Sequence, residues 1–452
     1  MNKKQFAVIG HPIAHTMSPF IHARLFALSG QPAGYGVFDI PTDELEDKMP
    51  ELKRLDGFNI TIPNKQAIIP FLDSLDEKAA FFHSVNTVKK ETGRLTGHTT
   101  DGAGFCKALE AAHAGLSGRT VILGAGGAAR VMAFEAALKG GRITVAARAH
   151  SMAAARQLCM DLKQKVTGVR TDCCPIDEIT GPMDLLANAT PAGMFPNTAA
   201  CPVSEEIIRK AACVFDAVYN PNETLLLRLA RKNGIMTADG MSMLVWQAAA
   251  AHEIWYGADF HPEDIRLLCT DAVSEMKKNF GNLILCGYMG SGKTTVGLRL
   301  AEITGRTFVD MDSFIEQNEG MTVPEIFARR GEAEFRRLER EAVRVLSQKS
   351  GLVIATGGGT LMNPENPAVF KENGVIILLD AALDVIRFRL RNDHSRPMLA
   401  KPNRDEVLEQ LYRERIAVYR GAADFIVPAN EKAERVAEKI KEAIKKPPIR
   451  KG

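Results

Sequence analysis

Three sets of residues have types and spacings that suit chemistry. Residues 287–294 read Gly-Tyr-Met-Gly-Ser-Gly-Lys-Thr and fit G-x-x-x-x-G-K-[ST]. Gly290 and Gly292 let the backbone curl so that successive N–H groups, including that of Ser291, face phosphate oxygens. Lys293 suits the β- and γ-phosphates of ATP or GTP, and the Thr294 hydroxyl suits Mg²⁺, with Thr295 beside it. The second set is Gly124-Ala125-Gly126-Gly127-Ala128-Ala129, a G-x-G-x-x-G/A match for a dinucleotide pyrophosphate. The strand after it ends in Arg148 rather than an acidic residue. A cation there favours the 2′-phosphate of NADP, although an ordinary solvated strand-end arginine would look the same. The third set is a group of hydroxyls, an amide, an amine and a carboxylate: Thr16, Ser18, Thr61, Lys65, Asn86 and Asp101. That set suits a small polyhydroxylated acid. Lys65 could deliver a proton to a carbonyl oxygen as hydride reaches the carbon, provided burial offsets the pKa rise that a paired Asp101 brings. On its own, Lys65 reads better as an exposed loop lysine, because lysines are mostly solvated.

Short β-branched runs alternate with helical patterns throughout, which is the signature of α/β architecture. Strands are expected at 5–9, 35–40 and 57–61, then at 119–123, 142–146, 184–188 and 213–217. Helices are expected near 241–256 and 262–276. The polar clusters HPIAHTMSP, GFNITIPNK, SVNT and GHTTDGAG each follow an apolar run, where open sheets place ligand groups. The segment MKKNFGN at 276–282 breaks the pattern, and a new strand, LILC, starts at 283. We therefore expect a linker near 277–281 and two regions, 1–277 and 278–452. The first would hold a substrate lobe (about 1–101 plus 240–277) and a Rossmann lobe (about 102–239). The second would be a P-loop domain with a parallel sheet. In it, FVDMD places Asp310 and Asp312 at a strand end, on one side if the segment stays extended. One could serve Mg²⁺ and the other an acceptor hydroxyl.

The 452 residues exceed one ordinary core. Hydrophobic residues make up 46% and charged residues 25%, a globular balance. A net charge of +3 offers no broad surface for nucleic acid, and no apolar run is long enough for a membrane span. Eight cysteines with no CxxC pair and no zinc spacing point to reduced thiols in a cytoplasm. Oligomeric state is not encoded in any feature of this kind.

Longer motifs carry a resemblance. Residues 282–430 resemble shikimate kinase through GYMGSGKTT, DMD, EFRRLE, TGGG, RPML and ERIAVY. The resemblance implies that Asp312, Arg336, Gly358, Gly359 and Arg415 grip shikimate, and that Thr294 and Asp310 serve the metal. It also implies that Arg396 sits with Lys293 in the catalytic set, in a lid over ATP. From the residues alone, Arg336 also reads as a helix-face partner of neighbouring glutamates. The usual ERxPLY appears as ERIAVY, with Ala417 and Val418. Residues 1–275 resemble shikimate dehydrogenase through PIAHTMSP, NITIPNK, SVNT, TDGAGF, GAGGAAR, NATPAGM, DAVYNP and GMSMLVWQA. This implies Lys65 and Asp101 as the catalytic pair. Thr16, Ser18, Thr61, Asn86, Tyr219 and Gln247 would contact shikimate, and Gly240 would line the cofactor site. Departures are Thr16, Thr99 and the Ala147-Arg148-Ala149 run, which leave quinate and NAD open.

Together the resemblances imply a bifunctional enzyme of aromatic amino-acid (chorismate) biosynthesis. It would reduce 3-dehydroshikimate with NADPH, then phosphorylate shikimate with ATP and Mg²⁺. Two alternatives stand beside it. One is a catabolic quinate/shikimate dehydrogenase with an appended kinase. The other is a kinase whose N-terminal half only senses metabolites.

Overall fold

The structure is a computed structural model, and it describes residues 3–13, 16–195, 197–391 and 404–445. Arg396 and the RPML segment lie outside the described residues. The chain divides into two compact units, Met1–Ser274 and Glu275–Gly452.

The first unit holds two six-stranded sheets. One contains β1 (Lys4–Gly10), β2 (Ala33–Asp39), β3 (Gly57–Ile60), β4 (Ser74–Leu75), β5 (Thr87–Glu91) and β6 (Arg94–His98), in the order β2-β1-β3-β5-β6-β4. β1, β2 and β3 run parallel, whereas β3–β5 and β5–β6 pair antiparallel. The β5–β6 hairpin is absent from the sequence expectation. Its signal is Thr92-Gly93, both at positive φ, between the paired Glu91 and Arg94. A two-residue turn of that kind matches the twist of a hairpin. It matters for function because Asn86 and Asp101 lie just outside its open end.

The other sheet contains β7 (Arg119–Leu123), β8 (Arg142–Ala147), β9 (Arg170–Pro175), β10 (Met183–Asn188), β11 (Ala211–Asp216) and β12 (Met236–Ala238). Its order is β12-β11-β10-β7-β8-β9 and every pairing is parallel. Strands such as VIL at 121–123 and LLAN at 185–188 are fully buried, as covered parallel sheets require. The helix Gly127–Leu138 packs on β7 and β8, whereas the helix Gly240–Tyr256 packs on the helices Asp101–Ala111 and Ser18–Leu28 and on β5. Asp239 caps the second by accepting from Ser242 N at 2.9 Å, and Gly257 ends it in the left-handed region at φ 66. Phe6, Phe26, Ala251 and Trp255 form one small core cluster, and Trp255 Nε1 donates to Val88 O at 3.0 Å.

The second unit is built on one parallel sheet of β13 (Asn282–Cys286), β14 (Thr307–Asp310), β15 (Leu352–Ala355), β16 (Gly374–Asp380) and β17 (Phe425–Pro428), in the order β14-β15-β13-β16-β17. The expected linker needs correction. Residues 276–280 are the last turns of the helix Pro262–Phe280, and only Gly281 separates it from β13. Lys277 and Lys278 suit a helix C-terminus. Arg306 satisfies the end of the helix by donating to Lys278 O and Asn279 O, each at 2.9 Å. Gly281 is required, since a Cβ there would lie 2.6 Å from Lys277 O and 2.8 Å from Asn373 O. No described helix is long and apolar enough to cross a membrane.

Candidate functional site

In the first unit, the loops leaving β1 and β3 lie side by side: Thr61 N donates to Ile9 O at 2.9 Å and His11 N to Ile62 O at 3.0 Å. Thr16 and Ser18 follow β1, and Ser18 opens the helix Ser18–Leu28. The Thr16 hydroxyl accepts from Ser18 N at 3.2 Å. Beyond Thr61, buried Asn64 anchors the turn, donating to Ile40 O at 2.7 Å and accepting from Thr42 Oγ1 at 2.9 Å. This fixes the backbone that presents Lys65. Asp101 is the first residue of the helix Asp101–Ala111, where unpaired backbone N–H groups favour a carboxylate. Lys65 Nζ donates to Asp101 Oδ2 at 2.5 Å. The two side chains are 19% and 8% exposed, so the pair is largely withdrawn from water and the exposed-loop reading of Lys65 fails.

Asn86 Nδ2 donates to Asp101 Oδ1 at 2.7 Å, so both carboxylate oxygens are held. The Asn86 Oδ1 atom accepts from Thr100 N at 2.8 Å. Gln247 Oε1 accepts from Asn86 Nδ2 at 3.2 Å and from the Thr100 hydroxyl at 3.3 Å. Gln247 reaches this site because the helices Asp101–Ala111 and Gly240–Tyr256 touch at Gly104. A Cβ on Gly104 would lie 2.5 Å from Met243 O and 2.9 Å from Gln247 Cβ. The arrangement can hold a proton on Lys65 and direct it: one N–H is fixed on Asp101, and the remaining donors of the ammonium are available to an oxygen.

The dinucleotide motif lies between β7 and the helix Gly127–Leu138, with Gly126 as the cap. Gly124 has φ 100, and a Cβ there would lie 2.9 Å from the Thr190 methyl. At Gly126 and Gly127 a Cβ would meet nothing within 4 Å. The N-terminus of this helix, with Ala125 and Ala128 beside it, is therefore open to a pyrophosphate. Arg148 follows β8, is exposed, and its guanidinium has no hydrogen bond or ion pair among the described residues. Gly240 packs bare backbone onto the end of β11, where a Cβ would lie 2.5 Å from Ala217 O. Tyr219 lies just beyond the same strand, and burial raises its phenol pKa. Asp216, which ends β11, is fully buried and accepts from Thr224 Oγ1 at 2.6 Å, Asn188 Nδ2 at 2.9 Å and Val218 N at 3.0 Å. Burial nevertheless pushes its carboxyl up to about 6.

In the second unit, residues 287–292 curl between β13 and the helix Lys293–Thr304, with Gly290 at φ 77 and Gly292 at φ 95. Lys293 Nζ donates to Gly287 O at 2.8 Å and Tyr288 O at 3.2 Å, which holds the ammonium over the loop. Thr294 Oγ1 donates to Asp310 Oδ2 at 2.9 Å, so a hydroxyl and a carboxylate stand together as hard oxygen ligands for Mg²⁺. Asp310 ends β14 and caps the next helix, accepting from Asp312 N at 3.1 Å. Asp312 is therefore on the helix Met311–Glu319, not on an extended segment with Asp310, which corrects the alternation expected for FVDMD. Burial first, then the charges of Asp310 and Glu339, push the Asp312 carboxyl up to about 6.

The triglycine turn after β15 gathers the side chains expected to hold the acceptor. A Cβ on Gly357 would lie 2.9 Å from Asp312 Oδ1, and one on Gly359 would lie 2.4 Å from Arg336 Nη1. Arg415 Nη1 donates to Gly358 O at 3.1 Å. Arg336 pairs with Glu339 at 2.9 Å and with Glu332 at 3.3 Å. Arg336 is therefore a helix-face partner of glutamates that also reaches the glycines. Beside the phosphate loop, a cavity of about 720 Å³ is lined by Ser291, Gly292, Thr295, Arg389, Asn430 and Arg435 among others. Arg389 ties the phosphate loop to its far wall. It donates to Gly290 O and Ser291 O at 3.2 Å each, and to Ala429 O at 2.9 Å.

Comparison with known proteins agrees with this geometry. Residues 8–88 match the model of the shikimate dehydrogenase substrate binding domain. A shikimate dehydrogenase (NADP(+)) of Caldanaerobacter subterraneus subsp. tengcongensis is 39% identical over 272 residues, which are 58% of this chain and 96% of that protein. The chain belongs to the shikimate dehydrogenase family. Residues 289–445 match the shikimate kinase model, so the chain is a fusion of the two. Shikimate 5-dehydrogenase of Thermus thermophilus, solved in complex with NADP(H) and shikimate, superposes on the dehydrogenase with a TM-score of 0.54 and 34% identity. It covers 60% of this chain and 99% of that one. A 5-ketofructose reductase of Gluconobacter sp. strain CHM43 superposes with a TM-score of 0.53 and 30% identity, covering 60% of this chain and 99% of that one. The fold alone therefore does not choose the carbonyl substrate.

In the dehydrogenase, one bonded network joins Lys65, Asn86, Asp101 and Gln247. Thr16, Ser18, Thr61 and Tyr219 are placed by their own loops and not by hydrogen bonds to the pair. Thr100 belongs to the network and was missed, although its place beside Asp101 was a signal. In the kinase, Asp312, Arg336, Gly358, Gly359 and Arg415 converge. Glu339, Thr360 and Arg389 were missed. Thr360 Oγ1 donates to buried Glu339 at 2.6 Å, beneath the turn. Arg389 lacks any local signal, because its partners are about a hundred residues earlier and forty later in the chain.

Proposed function

We propose that this chain carries out two consecutive reactions: NADPH-dependent reduction of 3-dehydroshikimate to shikimate, then ATP-dependent phosphorylation of shikimate at its 3-hydroxyl. The observation that carries the first step is the withdrawn, doubly anchored Lys65–Asp101 pair. When bound, the dinucleotide supplies the hydride, and ATP with Mg²⁺ supplies the phosphoryl group.

Lys65 donates a proton to the carbonyl oxygen as that oxygen gains charge, and in the reverse direction takes it from the hydroxyl. Asp101 keeps the ammonium aimed, and Asn86 keeps the carboxylate from rotating. Thr16, Ser18, Thr61, Tyr219 and Gln247 bind the acid's carboxylate and hydroxyls. Gly124, Ala125, Gly126, Gly127, Ala128 and Gly240 leave room for the cofactor, and Arg148 meets its 2′-phosphate. In the kinase, Gly290 to Thr295 hold the nucleotide, and Lys293 neutralises the transferring group. Thr294 and Asp310 hold the metal. Asp312 accepts the proton of the 3-hydroxyl, and Arg336 and Arg415 fork onto the carboxylate. Arg396 joins the nucleotide side. A cytoplasmic location fits eight free thiols. The two regions are proposed to act as separate domains, 1–277 and 278–452, with the dehydrogenase divided into the lobes described above.

The test is oxidation of shikimate and of quinate, each with NAD⁺ and NADP⁺. Shikimate with NADP⁺ should give the highest kcat/KM. A preference for quinate would favour a catabolic dehydrogenase, and no turnover in any of the four would favour a metabolite sensor.

A further inference from the structure

Arg130 closes the GAGGAAR motif, and neither reaction above uses it. Its side chain is only 14% exposed and makes three contacts. Nε donates to Phe82 O at 2.7 Å, Nη1 donates to Asp161 Oδ2 at 2.5 Å, and the guanidinium lies 5.1 Å from the centre of the Phe134 ring. Phe82 is the last residue of the short helix Glu77–Phe82, so its carbonyl is one that a helix end leaves unpaired. Arg130 satisfies it from another sheet's helix. Lys165 does the same for the preceding carbonyl, donating to Phe81 O at 2.6 Å. The faces between are packed, with Phe81 and Phe82 rings 5.2 and 5.5 Å from Phe134.

Both ends of this latch run directly into a binding site. On one side, Arg130 N donates to Gly126 O at 2.9 Å, so Arg130 sits one helical turn from the dinucleotide glycines. On the other, the chain leaves Phe82 through left-handed His83 (φ 51). Val85 N then donates to Lys65 O at 2.9 Å, and Asn86 follows with its amide on Asp101. We propose that Arg130 is a positioning residue that couples the cofactor seat to the substrate site. It fixes the first turn of the dinucleotide helix against the segment that carries Asn86 and supports Lys65. A ligand that orders one side then finds the other side already ordered, so the two bind more tightly together than apart.

This inference rests on the dehydrogenase reading, and the experiment separates the two. NADPH binding to the full chain is measured calorimetrically with and without saturating shikimate, a pair that cannot turn over because both are already reduced. In the wild type shikimate should tighten NADPH binding by about fivefold or more, and in Arg130→Leu that ratio should fall to about one. Each ligand measured alone should keep its affinity within about threefold, while the unfolding temperature falls because Phe82 O and Asp161 lose their partner. Arg130→Lys should restore part of the ratio, because an ammonium can reach one acceptor but lacks the fork that spans two. Independent binding in the wild type, or an undiminished ratio in Arg130→Leu, overturns the proposal. Loss of both separate affinities also overturns it, by making Arg130 a plain structural strut. If the wild type did not bind NADPH, the dehydrogenase reading itself would fall.

Discussion

The dehydrogenase and kinase sites handle their charges in opposite ways. In the dehydrogenase, one cation and one carboxylate face each other, and neutral amides and hydroxyls from Asn86, Thr100 and Gln247 surround them. In the kinase, several carboxylates crowd together: Asp310, Asp312 and Glu339. Their cations, Lys293, Arg336 and Arg415, bond to backbone carbonyls or to glutamates. The first site moves a proton and a hydride and needs one orientation held. The second must receive a highly charged phosphate and a metal, so its cations are held by partners that a phosphate or carboxylate can replace. Aim is built into one site, and countercharge into the other.

The largest effects should come from removing the central cation of each site. Lys65→Ala should lower dehydrogenase turnover by roughly 10²–10⁴-fold, the usual worth of a positioned proton donor. Shikimate phosphorylation should be untouched, and a near-normal reduction rate would end the acid–base assignment. Lys293→Ala should cost the kinase about 10²–10³-fold or more, as loss of charge stabilisation does. Dehydrogenase rates should stay at the wild-type level, which sharpens the contrast between the sites.

Arg148→Ala probes countercharge inside the aim-type half. NADP⁺ affinity should fall by about tenfold or more, the scale of one charged hydrogen bond, while NAD⁺ affinity is unchanged. Equal losses for both cofactors would show that Arg148 shapes the fold instead.

The smallest effect concerns Asp216, a buried carboxyl pushed up to about 6 from its ordinary 3.8. The folded chain holds this proton more tightly than the unfolded chain does. Its contribution to stability is therefore present at low pH and is lost as pH rises from about 4 through 6. Asp216→Asn removes that titration, so the stability advantage of the wild type over the variant should shrink across this window and level off above it. Unfolding curves at several pH values read the difference. A constant gap would mean that burial does not govern the group.

Much of this was legible because local chemistry wrote it. The glycines at 124, 290 and 292 adopt positive φ where the motifs need a tight curl. β13 announces a covered parallel strand by its unbroken apolar run, LILC. The Lys65–Asp101 pair was legible only through longer motifs, since a lysine in a loop and an aspartate at a helix start are each commonplace. The linker was misread for an instructive reason. Charge, Asn and Gly at 276–282 look like a linker, but they also make a good helix end once Arg306 supplies the missing donors. That partner lies beyond any sequence window. The same holds for Arg389 and for Arg130, whose meaning depends on carbonyls that the fold brings to them.

The most direct test of the central claim uses the whole chain with 3-dehydroshikimate, NADPH, ATP and Mg²⁺ in one vessel, following NADPH loss and ADP release together. The account predicts that ADP appears only after NADPH begins to fall and that the two totals converge. Lys65→Ala should silence both signals, and added shikimate should restore ADP release alone. ADP release from 3-dehydroshikimate without NADPH, or NADPH loss with no ADP even when shikimate is supplied, would contradict it.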